Sequence, residues 1–365
     1  MSKLKTKSYE LRDVAIVQAP ISFMNHRAEV NPKVSIAGRE VYPIFVAPMS
    51  CVTDQNNYRV WIDSGLTPVI PRSVMKSEFN ESGLSFEERM KLAEETFVSV
   101  SLNEAKFYLP GYLKEYSGSG KLYICIDIAH GTLSDLYELC RRLKFVVAPG
   151  KIEIMTGNVA NPKAYSLYAD SGVDWMRVSI GSGSRCITSA SVAVHYGMAT
   201  LLDQINEERK AYAHSHNGCA PTKIIADGGI GWFDDIQKSL ALGADAVMAG
   251  KIFAECEEAA GEIYYSETPL VESKYSSKGC SHRYRDYYGM STKRAQKITG
   301  GSGTKTSEGI SRPVEVKYPV AEWVDNMQSY LRSCMTYTNS RTIQELRENA
   351  QLVILGGSGD TAYRK

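Results

Sequence analysis

The sequence of 365 residues has almost no excess of charge of either sign, because 42 Lys and Arg stand against 41 Asp and Glu, which gives a formal net charge of +1. Such a chain has no overall field to attract nucleic acid or an acidic membrane surface, so we expect neither as a partner. It also lacks an uninterrupted apolar run near the ~18 residues of a membrane span, and no apolar leader follows its basic first residues. We therefore expect a cytoplasmic protein.

Paired cysteine motifs are also absent. The eight cysteines occur singly between Cys51 and Cys334, without a C-x-x-C pair or a regular framework. This pattern is typical of reduced thiols in the cytoplasm, and we expect no structural disulfide.

Short runs rich in Val, Ile and Phe alternate with amphipathic stretches over residues 41–258, which is the pattern of repeated β-α units. The predicted strands are 44–47, 68–70, 97–101, 123–128, 152–156, 175–180, 223–226 and 246–249. Helices are predicted between them, for instance over 85–95 and 233–242. Eight units predict an α/β protein with a (β/α)8 TIM barrel, formed as one domain by residues 1–365.

An open doubly wound sheet is the alternative architecture. Small and polar residues follow six of the eight predicted strands, at 48–50, 127–131, 157–158, 181–188, 227–229 and 250–251. In an open sheet the binding and catalytic residues lie at one switch point, whereas in a barrel they lie at the ends of many strands. The loops therefore favour the barrel.

Residues 273–308 are dense in Ser, Gly, Lys, Tyr and Thr and poor in aliphatic residues. A loop of this length inside a compact domain is usually a functional lid or disordered. We predict a mobile flap over 273–309, followed by two closing helices over 321–330 and 343–350.

The segment 179–188, where Gly181 and Gly183 precede Cys186, is the strongest indication of a catalytic loop in the sequence. Two glycines two residues apart let the backbone approach a ligand and turn its amides inward. With Arg185 adjacent, such a loop can activate a thiol. The alternative is that Cys186 is a small buried apolar residue in a glycine-rich turn.

A second signal is Asp227 followed by Gly228 and Gly229, at the end of the seventh predicted strand. The carboxylate suits the two hydroxyl groups of a ribose. The two glycines, together with Gly250, suit a phosphate held by backbone N–H groups. The alternative is a turn in which Asp227 caps a helix.

Seven short motifs occur in the order found in the IMP dehydrogenase and GMP reductase family, and they span nearly the whole chain. They are Ala47-Pro48-Met49, Gly157-Asn158-Val159, the segment 181–188, Ala226-Asp227-Gly228-Gly229-Ile230, Tyr288-Gly289-Met290-Ser291, Glu308-Gly309 and Arg332-Ser333-Cys334-Met335. The chain therefore resembles this family.

The resemblance implies that Cys186 attacks C2 of a purine nucleotide monophosphate, with Thr188 and Glu308 as a proton-relay pair. It implies substrate contacts at Ser184, Asp227, Gly228, Gly229, Gly250, Lys251, Tyr288, Gly289, Met290, Ser291 and Gly309. It implies cofactor contacts at Asp127, Ser99, Ser101, Gly157 and Asn158. The implied cofactors are NADPH, with NADH or NAD as alternatives, and a potassium ion held by carbonyls of Gly181, Gly183 and Cys186; the implied assembly is a homotetramer.

The flap separates the two activities of the family. The segment between Ser291 and Glu308 lacks the Arg-Tyr pair that dehydrogenases carry there, and the regulatory CBS modules are absent. The segment 305–309 resembles the reductase motif Arg-Ala-Ser-Glu-Gly, with Lys305 in place of Arg. We therefore expect reduction of GMP to IMP, with an IMP dehydrogenase as the alternative.

Other features resemble bacterial dehydrogenases, namely the segments 129–131, 186–188, 331–335 and 342–347. The chain also departs from the family pattern at Ser50, Arg185 and Lys251. These departures leave the exact purine open, for example a deoxynucleotide or a modified base.

Two hypotheses of another class remain. His214 and His216, with Cys219 nearby, could bind zinc, although they precede the seventh strand and lie at the opposite face of the barrel. A basic lid containing Lys274, Lys278, His282, Arg283 and Arg285 could bind RNA.

Overall fold

The computed structural model describes residues 7–72, 84–183, 188–267, 270–271, 282–289, 292 and 309–356. The strands in these ranges are β1 (Val14–Val17), β2 (Val34–Ile36), β3 (Arg39–Val41), β4 (Ile44–Val46), β5 (Thr67–Ile70), β6 (Phe97–Val100), β7 (Leu122–Asp127), β8 (Ile152–Val159), β9 (Trp175–Val178), β10 (Lys223–Asp227), β11 (Ala246–Ala249), β12 (Tyr264–Ser266), β13 (His282–Tyr287), β14 (Arg312–Glu315) and β15 (Gln351–Ile354). All eight strands predicted from the sequence are present as β4 to β11. Most of them begin or end at a different residue from the predicted one.

These eight strands form a closed parallel barrel, in which β11 pairs with β4 and each other strand pairs with the next along the chain. In the register, Asp127 lies beside Gly157, and Val178 lies beside Ala226. Because all strands run in one direction, their carboxyl ends meet at one face. The prediction of a (β/α)8 barrel is confirmed.

Helices follow most of the barrel strands and cover the outside of the barrel. They are α1 (Tyr58–Asp63), α2 (Phe86–Met90), α3 (Leu102–Phe107), α4 (Leu109–Glu115), α5 (Ser134–Arg142), α6 (Ala164–Asp170), α7 (Thr188–Val192), α8 (Met198–Ser215), α9 (Phe233–Ala241), α10 (Lys251–Ala254), α11 (Val320–Tyr337) and α12 (Ile343–Asn349). The two predicted closing helices are thus present, and α11 extends further than expected. Among the described residues, no helix combines the length and the apolar character that crossing a membrane requires.

The barrel interior is filled by large side chains that point inward from alternate strand positions. The ring of Phe45 packs edge-on against Phe97 and Trp175, with centroids 5.6 and 5.2 Å away. Ile36 and Val41, on the β2–β3 hairpin, pack into the same cluster. The hairpin therefore closes the amino-terminal end of the barrel.

The predicted mobile flap requires a correction, because part of it is ordered. His282–Tyr287 forms the central strand of an antiparallel sheet with β12 and β14. Tyr284 and Arg285 on this strand are almost completely buried. The scarcity of aliphatic residues hid the strand in the sequence, because its buried positions are filled by aromatic and basic side chains.

Arg285 attaches this sheet to the barrel. Its guanidinium donates hydrogen bonds to the carbonyls of Ala254, Cys256 and Glu257, which follow the last barrel strand. Burial lowers the pKa of Arg285, and this effect outweighs the nearby groups that would raise it. Hydrogen bonds to backbone carbonyls compensate in part for the desolvation of the charged group.

We predict that Phe45→Ala lowers the free energy of unfolding by about 3–5 kcal/mol, because it leaves a cavity between Phe97 and Trp175 that a closed barrel cannot fill by collapse. Urea unfolding followed by circular dichroism measures the effect. The matched control is Phe107→Ala, since Phe107 is 75% exposed; its change should stay within about 0.5 kcal/mol. Equal destabilisation by both variants would contradict this account of the core.

Candidate active site

A cleft of about 470 Å³ opens at the carboxyl ends of the barrel strands. This volume lies within the range of roughly 300–1,000 Å³ typical of small-ligand sites. Ten of the residues singled out in the sequence line it, namely Asp127, Asn158, Gly181, Gly183, Asp227, Gly228, Gly229, Gly250, Lys251 and Gly289. The fold thus brings residues at the ends of five barrel strands, together with Gly289 after β13, into one site.

A buried guanidinium joins the two carboxylates of this cleft. Arg177 Nη1 lies 2.6 Å from Asp127 Oδ1, and Arg177 Nη2 lies 2.8 Å from Asp227 Oδ2. Arg177 Nε also donates to Asp227 Oδ2, at 2.9 Å. Since guanidinium nitrogens are held in a rigid plane, these contacts fix the distance and orientation of the two acids.

The position of Arg177 follows from the alternation of side chains along β9. Trp175 belongs to the inner cluster, so Arg177, two residues later, also points into the barrel. Sequence reasoning missed Arg177. The available signal was a single charged residue within an otherwise apolar predicted strand, two positions before the glycine-rich loop.

The ion pairs shift the pKa values of Asp127 and Arg177. Burial by itself would raise the pKa of Asp127, but the charges of Arg177 and then Arg72 outweigh it and hold that pKa below its usual value. Burial would lower the pKa of Arg177, but Asp227 and Asp127 raise it well above its usual value. The ion pairs therefore favour the charged forms of Asp127 and Arg177.

Asn158 is a second side chain, after Arg177, that holds Asp227. Its Nδ2 donates to Asp227 Oδ2 at 2.7 Å, and its backbone N–H donates to the carbonyl of Ile128 at 2.9 Å. The hydrogen bonds that Asp227 receives from described side chains all fall on Oδ2. The carboxylate is thus held by one oxygen while it borders the cleft.

The turn after Asp227 packs closely on the loop that follows β9. Gly228 and Gly229 have φ values of +109° and +76°, which glycine adopts without steric penalty. A side-chain carbon added to Gly228 would lie 3.2 Å from the backbone nitrogen of Gly183, and one added to Gly229 would lie 3.3 Å from the carbonyl oxygen of Ser182. The two loops therefore form one continuous wall of the cleft.

Gly250 and Lys251 form the opposite end of this wall. A side-chain carbon on Gly250 would lie 2.7 Å from both the Met49 sulfur and the Tyr287 hydroxyl, so a larger residue would have to displace these side chains. Lys251 begins α10, and its Nζ lies 3.7 Å from Glu255. At this end of the cleft, tightly packed backbone at Gly250 lies next to the basic side chain of Lys251.

The backbone N–H groups at the start of α9, by contrast, already donate hydrogen bonds within the protein. The buried carboxylate of Asp235 accepts the backbone N–H groups of Gly231 and Trp232, both at 2.9 Å. Those two amides are therefore engaged within the protein. An anion in the cleft is better served by the segment around Gly229 and Gly250.

Two of the predicted cofactor residues lie away from the cleft. Ser99 is completely buried. The hydroxyl of Ser101 caps α3 by accepting the N–H of Glu104 at 3.2 Å, while the Glu104 carboxylate accepts the Ser101 N–H at 2.7 Å. This reciprocal capping gives Ser101 a structural task, and the Ser-x-x-Glu spacing of Ser101 and Glu104 is the sequence signal that could have indicated it.

Several predicted residues lie elsewhere in the chain or outside the described ranges. Gly157 lies at the end of β8 beside Asp127. Tyr288 is buried, and its carbonyl accepts a hydrogen bond from the thiol of Cys51; Gly309 is also buried. Ser184, Cys186, Met290, Ser291 and Glu308 are outside the described residues, as is the side chain of Thr188, although Thr188 begins α7.

The two hypotheses of another class receive no support from the described residues. Within the described ranges, no group of three or more His, Cys, Asp or Glu side chains could hold a metal ion. His216 instead stacks on Tyr212, with ring centroids 3.9 Å apart. In the proposed RNA surface, Arg285 is buried and Arg283 forms an ion pair with Glu257 at 2.7 Å.

A (β/α)8 barrel with carboxylates and glycine turns gathered at the strand ends is the architecture of barrel proteins that bind a small anionic ligand at that face. A family model described as "IMP dehydrogenase / GMP reductase domain" matches residues 114–362. The chain belongs to the IMP dehydrogenase and GMP reductase family.

Relatives named as dehydrogenases and a relative named as a reductase both match this chain. The inosine-5'-monophosphate dehydrogenase of Chlorobaculum parvum is 32% identical over 236 residues, which cover 65% of this chain and 46% of that protein. That of Methanocaldococcus jannaschii is 30% identical over 254 residues, covering 65% and 47%. The GMP reductase of Leishmania major is 28% identical over 242 residues, covering 66% and 46%. The matches thus span about half the length of these curated relatives.

We predict that Arg177→Met lowers the free energy of unfolding at pH 7 by about 3–5 kcal/mol, because it leaves two buried carboxylates without their shared cation. In the native protein the depressed pKa of Asp127 contributes stability above the unfolded-state pKa, and this is lost as the pH falls through the lower folded-state pKa. In the variant, burial raises that pKa instead. The stability gap should therefore narrow from pH 7 to pH 5.

Denaturant unfolding at several pH values measures this gap. Arg177→Lys is the matched control, since it keeps the charge but loses the forked geometry, and its stability should lie between the other two. A gap between wild type and Arg177→Met that stays constant from pH 7 to pH 5 would contradict the proposed ion pairing.

Proposed function

We propose that this protein catalyses the NADPH-dependent reductive deamination of GMP, or of a closely related guanine nucleotide, to IMP and ammonia. The observation that carries the proposal is the juxtaposition, in one cleft, of the fixed carboxylate of Asp227 with the glycine-lined segment of Gly229 and Gly250. A carboxylate accepts hydrogen bonds from sugar hydroxyl groups, and backbone N–H groups that a ligand can approach closely bind phosphate. A nucleoside monophosphate, which has both a sugar and a phosphate, therefore matches both parts of the cleft.

Each end of the nucleotide would have its own contacts. Asp227 would accept hydrogen bonds from the ribose. Gly229, Gly250 and Lys251, with Ser184 and Tyr288, would hold the phosphate, where Lys251 adds a positive charge. Met290, Ser291 and Gly309 would then face the base.

The reaction requires a nucleophile and a proton donor. The thiolate of Cys186 would form a bond to C2 of the purine, and the C2–N bond to the amino group would then break. An amine leaves well only after protonation, so Thr188 and Glu308 would deliver a proton and ammonia would depart. Release of the thiolate after reduction at C2 completes the cycle and restores the enzyme.

The nicotinamide of NADPH supplies the hydride that reduces C2. Asp127 and Asn158 border the same cleft as Asp227 and would hold the cofactor beside the purine. Carbonyls of Gly181, Gly183 and Cys186 would hold a potassium ion, since oxygen atoms are the ligands that a hard cation requires. The assignment of NADPH rests on the family resemblance together with the position of Asp127 and Asn158, and that of potassium rests on the resemblance alone.

Dehydrogenation of IMP to XMP with NAD is the second candidate, and the names of several relatives at 30–33% identity favour it. The flap motif at 305–309, which resembles that of the reductases, favours the first. Because loops carry function on a shared scaffold, we give the flap more weight. A cytoplasmic homotetramer is proposed on the family resemblance alone.

We predict that Cys186→Ser abolishes turnover but leaves nucleotide binding within roughly tenfold, because the thiolate forms the covalent bond while Asp227 and the glycine turns supply ground-state affinity. Calorimetric titration with GMP and a steady-state assay separate the two quantities. Cys219→Ser is the matched control, since Cys219 is exposed. Substantial activity in Cys186→Ser would exclude the covalent mechanism.

We predict that Glu308→Gln slows deamination of GMP by about 10²-fold or more, the range expected for loss of a general acid, with little change in binding. Glu262→Gln, at an exposed position, should leave the rate unchanged. Product identity by chromatography decides between the two activities. If XMP accumulates from IMP and NAD much faster than GMP consumes NADPH, the chain is a dehydrogenase.

A further inference from the structure

Ser179, directly after β9, adopts a backbone conformation that the rest of the site does not explain. Its φ is +148°, a value that L-residues with side chains rarely adopt and that glycine adopts readily. Its backbone N–H donates to the carbonyl of Val159 at 2.8 Å, which ties this conformation to the neighbouring strand. A glycine would fit here without strain, yet the chain carries a serine.

The side chain of Ser179 points into the site. Trp175 fills the barrel interior and Arg177 forms the ion pairs above it, and Ser179 follows them directly after the end of β9, at the mouth of the barrel. It lines the cleft although it is only 3% exposed. Trp175, Arg177 and Ser179 thus form three successive layers from the core to the ligand.

The neighbours of the hydroxyl place it between the two loops that bind the ligand. A side-chain carbon on Gly228 would lie 3.4 Å from Ser179 Oγ. Val178 pairs with Ala226 in the barrel register, so the next residues along these strands, Ser179 and Asp227, are neighbours at the strand ends. Ser179 and the residue whose carboxylate is assigned to the ribose therefore follow adjacent positions of two paired strands.

Residues held in rare backbone conformations persist where the surrounding structure enforces them, and they cluster at functional sites. We propose that Ser179 is a specificity residue, whose hydroxyl hydrogen-bonds one of the two vicinal hydroxyl groups of the ribose while Asp227 binds the other. This inference rests on the proposed function, and it explains why a strained position in the cleft wall has a polar side chain.

Two substitutions separate the effect of the Ser179 hydroxyl from the effect of the backbone strain. Ser179→Ala removes the hydroxyl and keeps a side-chain carbon, whereas Ser179→Gly removes both. We expect Ser179→Gly to raise the melting temperature by roughly 2–6 °C, because glycine relieves the strain. We expect Ser179→Ala to leave it nearly unchanged. A melting temperature of Ser179→Gly equal to or below that of wild type would contradict the strain.

The ligand contact is tested by calorimetric titration of the full-length protein with GMP and its 2'-deoxy and 3'-deoxy analogues. Both variants should bind GMP roughly threefold to tenfold more weakly than wild type, as expected for one hydrogen bond. Their discrimination against one deoxy analogue should disappear, while discrimination against the other remains. Unchanged discrimination against both analogues would overturn the role of Ser179.

The same titration distinguishes this inference from the proposed function. If the wild-type protein binds no guanine or hypoxanthine nucleotide, the proposed function fails and the contact fails with it. If the wild-type protein binds GMP and Ser179→Ala binds it equally well, the proposed function stands and only the role of Ser179 is rejected.

Discussion

The guanidinium of Arg177 lies between Asp127 and Asp227, and the geometry of the cleft depends on it. Without a shared cation, two carboxylates this deep in the barrel mouth would repel each other. With it, the pKa of Asp127 lies below its usual value, and both carboxylates are oriented by one rigid plane. Asn158 adds a contact to the same oxygen of Asp227 that Arg177 binds, so the position of this acid is set by three neighbouring strands.

The barrel makes that arrangement possible because it is closed and filled at its other end. The β2–β3 hairpin contributes Ile36 and Val41 to the inner core, and the aromatic rings around Phe45 fill the space below the ion pairs. A charged layer can therefore lie above a packed apolar floor, where few water molecules weaken its interactions. The core below supports the site above, and side-chain alternation along β9 links the two.

The sheet of β12, β13 and β14 extends this support to the edge of the cleft. Buried Arg285 binds carbonyls that follow the last barrel strand, and Tyr287, at the end of β13, reaches the space beside Gly250. The segment that bears Gly289 is thus attached to the barrel at a defined point. Membership of the IMP dehydrogenase and GMP reductase family agrees with this arrangement, while the reaction itself depends on the loops.

The sequence by itself determined the architecture and the location of the site. Eight apolar runs at regular spacing predict the barrel because strand and helix periodicities are local properties, and the residues at the strand ends, such as Asp127 and Asp227, could be assigned to one face. The glycine turns were also readable, since their residue types report local backbone requirements.

Only the tertiary structure decided which of these residues interact. Arg177 appeared in the sequence as one charge in an apolar strand, and its role depends on two acids that lie 50 residues away on either side. The strand β13 looked like a loop because aromatic and basic residues fill its buried positions. The strain at Ser179 is likewise invisible in residue types. Such features depend on pairing between distant strands, which local patterns do not encode.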